Sequence, residues 1–339
     1  MSQYPNFPDR NTFLNLKGKV VVVTGGASGI GAALVTILHH HGAYIVFGDI
    51  NRAAGEALVK TLLPKSQSQS QSTDTSSANG SGGVLTFLPC DVCEYSDMYA
   101  LFRTAHDKHG RVDHAVFCAG IIDSPTSSYF DATLTINSVG KEHGDTCTLD
   151  VNFFATCAFA RIALPFLRRG QEGEARLPNR ATATGSSDRS LTFLSSVTGF
   201  RDAPGMFLYQ TSKQAILGLM RAMRTAIFGR DGIRINAVCP GMTESPMTSA
   251  IGLIDWFKHR ESEASAQLPS HYQSSEAVAE HIASVMLAEG LNGKSIYVEE
   301  GKGWDFEDGL AREMPRWLGE EPTRWSDENL RFLGSFGGL

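Results

Sequence analysis

The stretch Ser196 to Lys213, SVTGFRDAPGMFLYQTSK, ends in YQTSK, which sets a tyrosine and a lysine four residues apart. On a helix Tyr209 and Lys213 share one face, one turn from each other. Thirteen residues before Tyr209, Ser196 closes an apolar run, SLTFLSS, that reads as a buried strand. A hydroxyl at a strand end, facing a phenol backed by an ammonium, is an arrangement for moving one proton on and off an oxygen. The ammonium favours phenolate, so a phenol with a free pKa of about 10 is expected to be drawn toward neutrality and to work as a general base. The alternative is an ordinary amphipathic helix with a YxxxK pair and no chemistry, and the surrounding sequence decides between the two.

The elements that would position this set begin near the N-terminus. KVVVVTGGASGIG, Lys19 to Gly31, joins a β-branched run to a glycine-rich turn, and AALVTILHHHG continues as a helix. That succession is the strand, loop and helix of a nucleotide-binding βαβ unit. Its cofactor-facing residues are Gly25, Ser28, Gly29, Ile30 and Gly31; the glycines let the backbone turn tightly and approach a diphosphate at the helix N-terminus. The next strand, AYIVFGD, ends at Asp49, eighteen residues after Gly31. A carboxylate there can accept hydrogen bonds from ribose hydroxyls and repels a 2′-phosphate, which predicts NAD, with NADP left open by the nearby Arg52. Asp49 also reads as an N-cap for the helix NRAAGEALVKTLL. The triplet His39 to His41 reads as a solvated helix end.

Further strands follow. VLTFLPCD places Asp91 and Val92 where an adenine would lie, and HAVFCAG ends in the small residues Cys118, Ala119 and Gly120. Residues between Ile121 and Leu149 are polar and give no assignment. LDVNFFATCAFARIALPFLRR is a long helix carrying Asn152 one turn in, and RINAVCPGMTESPM is a strand running into Gly241, Thr243 and Ser245. SIYVEEG is a seventh strand. Strands alternating with helices predict an α/β fold: one doubly wound Rossmann domain over residues 17–303, with a seven-stranded, mostly parallel sheet covered by helices on both faces. Residues 1–16 read as a loose arm, 64–83 and 171–189 as polar surface insertions, 246–267 as an apolar segment that could cover a pocket, and 304–339 as an extension that packs on the domain or on a neighbouring subunit.

Composition narrows the function classes. The chain has 339 residues, 42% hydrophobic and 19% charged, with a net charge of −6 and a pI near 5.9. Nothing there suggests nucleic-acid or anionic-membrane binding. No run approaches the roughly 20 apolar residues of a membrane span, and MSQYPNFPDRNTF lacks a signal-peptide core, so a cytoplasmic protein is expected. The six cysteines sit mostly within or beside apolar runs and read as reduced core residues; Cys90 and Cys93 form a CxxC with no second pair to complete a zinc site, and no metal is expected.

Taken together, TGGASGIG, Asp49, Asp91 with Val92, CAG, Asn152, Ser196, YQTSK and PGMTES resemble the short-chain dehydrogenases/reductases over roughly Leu16 to Gly303. The resemblance implies a catalytic tetrad of Asn152, Ser196, Tyr209 and Lys213. Tyr209 would be the acid/base on a secondary alcohol whose hydride passes to the nicotinamide. Ser196 would hold the same oxygen, Lys213 would lower the tyrosine pKa and bind the nicotinamide ribose, and Asn152 would hold a water in the proton relay. Three departures stand out: Phe117 and Cys118 replace the family's asparagine pair, Ser245 replaces a threonine, and EEGKG replaces a double glycine.

The tail beyond the seventh strand holds Trp304, Trp317 and Trp325 and resembles tails of fungal family members, some of which act on alcohols of terpenoid and polyketide skeletons. With Phe200, Met206 and Phe207 before Tyr209, this implies a lipophilic alcohol or ketone as the small-molecule substrate. Family members are commonly homodimers or homotetramers. The competing readings are an NADP-dependent ketoreductase working in the opposite direction, and a non-catalytic cofactor sensor, which would have no need of Ser196, Tyr209, Lys213 and Asn152 together.

Overall fold

The computed structural model describes residues 8–63, 83–123, 129–130, 132–141, 144–168, 188–252, 254–255, 259 and 271–335. The run Val20–Thr24 (β1) is buried at every position, as expected of a β-branched strand with both faces covered. The chain continues through α1 (Gly29–His40), β2 (Tyr44–Asp49), α2 (Arg52–Leu62), β3 (Val84–Pro89), α3 (Tyr95–His109) and β4 (His114–Phe117). Two short helices, α4 (Ile136–Val139) and α5 (Cys147–Leu149), lead through a π-helical turn at Asp150–Phe154 into α6 (Ala155–Leu167). Then come β5 (Ser190–Leu194), α7 (Phe207–Arg224), α8 (Ala226–Asp231), β6 (Arg234–Pro240), α9 (Pro246–Ala250), α10 (Ser275–Leu287), β7 (Ser295–Glu299), β8 (Lys302–Asp305), α11 (Glu307–Leu318) and α12 (Glu320–Ser335).

The strands form one sheet in the order β3-β2-β1-β4-β5-β6-β7-β8. The first seven are parallel, and the order reverses direction between β1 and β4, which opens a crevice at the carboxyl ends of those strands. One face is packed by α3, α6 and α7 through Phe102, Phe159, Leu217 and their neighbours. The other is packed by α1 and α10 through Leu34, Leu38, Ile282 and Met286. The doubly wound α/β architecture is therefore the expected one, with an eighth strand added. Glu299 pairs with Lys302 across a two-residue turn in which Glu300 (φ 49°) and Gly301 (φ 69°) both take left-handed backbone. Two left-handed residues in succession make the hairpin turn that matches strand twist. EEGKG is thus a hairpin, and the boundary expected at 303 falls inside β8.

Other expectations are corrected by burial. The arm is not loose throughout, since Arg10–Leu16 forms a 3-10 turn that buries Phe13 and Leu16 under α10. His39 is buried, not solvated, and its Nε2 meets the Leu62 carbonyl at 3.1 Å. Cys93 and Cys147 are exposed, unlike the core cysteines Cys90 and Cys239. Trp317 and Trp325 are exposed, while Trp304 packs on Tyr297. The stretch Cys147–Leu167 does have the length and hydropathy of a membrane span, but its Phe159, Ala163 and Leu167 belong to the sheet-facing core.

The polar stretches expected as insertions lie outside the described residues except at their ends, and the second is anchored there. Arg189 donates to Asp113 Oδ1 at 2.6 Å, and Arg234 binds Asp188 through two nitrogens. Asp113 is fully buried and also accepts from the Val20 amide and from Arg111. Removing one cation from a buried carboxylate leaves its charge undercompensated. Arg189→Ala is accordingly expected to lower stability by about 3 kcal/mol, measured by urea denaturation.

Candidate active site

The glycine turn after β1 is shaped by close approach. Gly25 has φ +64°, and a side chain on it would start 2.7 Å from the Ala119 backbone; one on Gly31 would start 2.0 Å from the Gly25 carbonyl oxygen. Only glycine lets these three segments meet. Every cofactor-facing residue expected from the sequence, from Gly25 through Ser245, borders one cleft of about 480 Å³, as do Ser196, Tyr209 and Lys213. The donor set fits a dinucleotide: a bare glycine cradle at the start of α1, an acid at the end of β2, and small residues, Cys118 to Gly120, at the end of β4.

Asp49 is held by the backbone. Its Oδ2 accepts from the Ala27 amide at 3.0 Å and its Oδ1 from the Asn51 amide at 2.9 Å. It is not the cap of α2, because Asn51 caps that helix through the Ala54 amide. Arg52 is turned away along the helix, with its Nε 2.9 Å from Glu56, and it does not border the cleft.

At the other end of the cleft, β5 delivers Ser196, which is buried and caps a 3-10 turn at Val197–Gly199. The Ser196 side chain lies near enough to the Tyr209 phenol to favour its ionised form, and its hydroxyl accepts from the Thr198 amide at 3.2 Å. Lys213 Nζ donates to the Leu194 carbonyl at 3.1 Å and lies 5.5 Å from the centre of the Tyr209 ring. Burial pushes the Lys213 ammonium down to about 8. Burial also raises the Tyr209 phenol above its ordinary value, with the Ser196 side chain opposing and the Asp123 charge adding to the rise. The downward shift expected from the lysine is therefore absent in the protein alone. The ammonium lies over the ring, 5.5 Å from its centre, and desolvation of the phenol dominates.

Asn152 is fully buried on the π-helical turn. Its Oδ1 accepts from the Ile121 amide at 2.8 Å, and its Nδ2 donates to the Ile121 carbonyl at 2.8 Å and to Ser212 Oγ at 3.0 Å. The amide thus ties the loop after β4 to α7, and it does not border the cleft. Asp123, in the polar stretch that gave no assignment, lies on that loop. Its Oδ2 accepts from the Leu208 and Tyr209 amides at 3.0 and 3.1 Å. Its only sequence signal is an acid soon after CAG.

The other departures are also accommodated. Phe117 replaces an amide contact by packing on Phe159, ring centres 5.3 Å apart. Ser245 caps α9 by accepting from the Thr248 amide. Glu299 lies against Gly241, where a side chain would start 1.7 Å from Oε2, and accepts from the Tyr297 hydroxyl at 2.6 Å.

A family model described as enoyl-(acyl carrier protein) reductase matches residues 25–302. (+)-Borneol dehydrogenase 1 of Salvia officinalis is 33% identical over 232 residues, which is 66% of this chain and 70% of that one. 2,5-Dichloro-2,5-cyclohexadiene-1,4-diol dehydrogenase of Sphingobium indicum is 31% identical over 235 residues, covering 69% and 76%. The chain belongs to the short-chain dehydrogenases/reductases. A solved member from Mycobacterium ulcerans shares the fold, with a TM-score of 0.61 at 19% identity over 91% of this chain and 98% of that one. As a short-chain dehydrogenase/reductase, the chain is an oxidoreductase of alcohols or ketones that uses a nicotinamide dinucleotide.

Proposed function

We propose that this enzyme oxidises a secondary alcohol on a lipophilic, alicyclic small molecule, with NAD as hydride acceptor. The observation that carries the reading is the convergence of Ser196 and Lys213 on the Tyr209 phenol in the cleft, with the Lys213 ammonium 5.5 Å from the centre of the ring. In this arrangement Ser196 donates to the substrate oxygen, Tyr209 takes its proton, and Lys213 holds positive charge beside the phenol. Asn152 acts behind them by fixing the loop after β4. Bound NAD would supply the hydride-accepting carbon and a further positive charge.

Ile121, Ile122, Val151, Met206 and Met242 border the cleft, which suits an apolar skeleton. Two relatives are named for alicyclic alcohols, borneol and a cyclohexadiene diol. For the cofactor, Asp49 supports NAD, and Arg52 is occupied by Glu56. That ion pair is exposed and so only weakly held. We further propose a homodimer or homotetramer in the cytoplasm; exposed Phe154, Phe207 and Phe228 on the apolar helices support the association.

Initial rates over a panel of alicyclic and open-chain secondary alcohols, each with NAD and NADP, test the proposal. NAD is expected to exceed NADP by at least about tenfold in kcat/KM, and Asp49→Ser is expected to narrow the ratio by a similar factor. Preference for NADPH with ketones alone would replace this reading by the ketoreductase.

A further inference from the structure

We propose that Asp123 is a positioning residue for Tyr209: from the loop after β4, its carboxylate clamps the first turn of α7 and thereby sets where the phenol stands and what charge it faces. The inference rests on Tyr209 being the proton-transfer group. Its basis is geometric. α7 begins at Phe207, and Met206, at its cap position, makes no side-chain cap bond. The first turn of a helix leaves its amides unpartnered unless an outside group accepts from them. Asp123, 85 residues earlier in the chain, supplies that group, with one oxygen accepting from both Leu208 and Tyr209. The same loop is tied down by Asn152, whose amide grips Ile121 on both sides and reaches Ser212 on α7. Two side chains that border no hydride path therefore lock the loop after β4 to the helix that carries the phenol and the ammonium.

A carboxylate in this place has two opposed effects. It holds the Tyr209 backbone, which favours catalysis through orientation. Its negative charge disfavours a second negative charge on the phenol. The groups facing Tyr209 are Ser196 from the end of β5, Asp123 from the loop after β4 and Lys213 from α7 itself. Lys213 in turn faces Cys118 at the end of β4 and Cys239 on β6, thiols pushed up to about 12 and so neutral near pH 7. Asp123 is then the one acid acting on the phenol among the described residues, and it is what a charge-removing substitution would change.

Asp123→Asn keeps the shape and an accepting oxygen but removes the charge, whereas Asp123→Ala removes both. The readout is [ζ-13C]tyrosine NMR of the free protein, with Tyr209→Phe assigning the Tyr209 resonance. The Asn variant is expected to titrate Tyr209 at lower pH than the unsubstituted protein. The acid limb of kcat/KM for alcohol oxidation should move the same way. The Ala variant should in addition lose between about tenfold and a hundredfold in kcat with little change in KM. An unchanged Tyr209 midpoint in the Asn variant overturns the proposal, whatever the activity. A shifted midpoint in a protein that oxidises no alcohol upholds the clamp and refutes the proposed function, so the two failures are distinguishable. If Asp123→Ala does not fold, the Asn comparison decides alone.

Discussion

Tyr209→Phe is expected to lower kcat for alcohol oxidation by about a thousandfold or more, within the range that positioned proton transfer contributes, and to leave NAD binding nearly unchanged. The phenol oxygen is the group in the cleft placed to accept the proton of an alcohol held by Ser196. Phenylalanine keeps the ring that packs over Lys213 and the backbone amide that Asp123 holds, so the change is confined to one oxygen. The glycine cradle after β1 and Asp49 at the end of β2 are untouched. Steady-state rates followed by NADH absorbance, together with calorimetric NAD titration, separate the two effects. Turnover within tenfold of the unsubstituted enzyme would show that the proton leaves by another route.

The parts of this site that were legible in the sequence are those in which chemistry and secondary structure use the same residues. Gly25, Gly29 and Gly31 sit between a β-branched run and a helix, and the spacing of Tyr209 and Lys213 is itself one helical turn. Asp49 was legible because a strand must end there, although its suspected capping role belongs to Asn51. The direction of the Tyr209 shift was not legible. Sequence shows that an ammonium is near but not whether it lies at the oxygen or under the ring, nor how dry the site is, and desolvation decides the sign.

Long-range returns were the other blind spot. Asp123 and Arg189 are unremarkable acids and bases in polar stretches, and each acquires its role from a partner more than seventy residues away. Glu307 is similar. It is buried and accepts from Arg221, Arg224 and Ser295, which fastens the start of the extension to α7 and β7. The eighth strand was missed because its turn, Glu300–Gly301, lacks the asparagine or aspartate before glycine that marks such hairpins. Local pattern finds elements; it does not find the side chains that cross between them.

Lys213→Met is expected to remove most of the turnover, by about a hundredfold or more, and at the same time to make the free protein more stable at pH 7. The ammonium is buried and donates to the Leu194 carbonyl, and its proton affinity falls from 10.5 to about 8. At about 1.4 kcal/mol per unit this is a penalty of order 3 kcal/mol on the folded state. Methionine has a similar reach and fills the same apolar slot. Loss of the hydrogen bond to Leu194 offsets about 1 kcal/mol, leaving a net gain of about 2 kcal/mol. The sign follows from proton counts. Below pH 8 the folded and unfolded states of the unsubstituted protein both hold the proton and the penalty is complete. Between pH 8 and 10.5 the unfolded state holds more protons than the folded one, so native stability rises with pH while that of the variant does not. The advantage of methionine should therefore be largest at pH 7, shrink through that window and give way above it to a deficit of about 1 kcal/mol from the lost hydrogen bond. Urea denaturation of both proteins at pH 7 and pH 10 measures the difference, and a variant less stable at pH 7 would show that the buried charge is not a burden. A cation that weakens the fold where it stands is placed there for the phenol beside it.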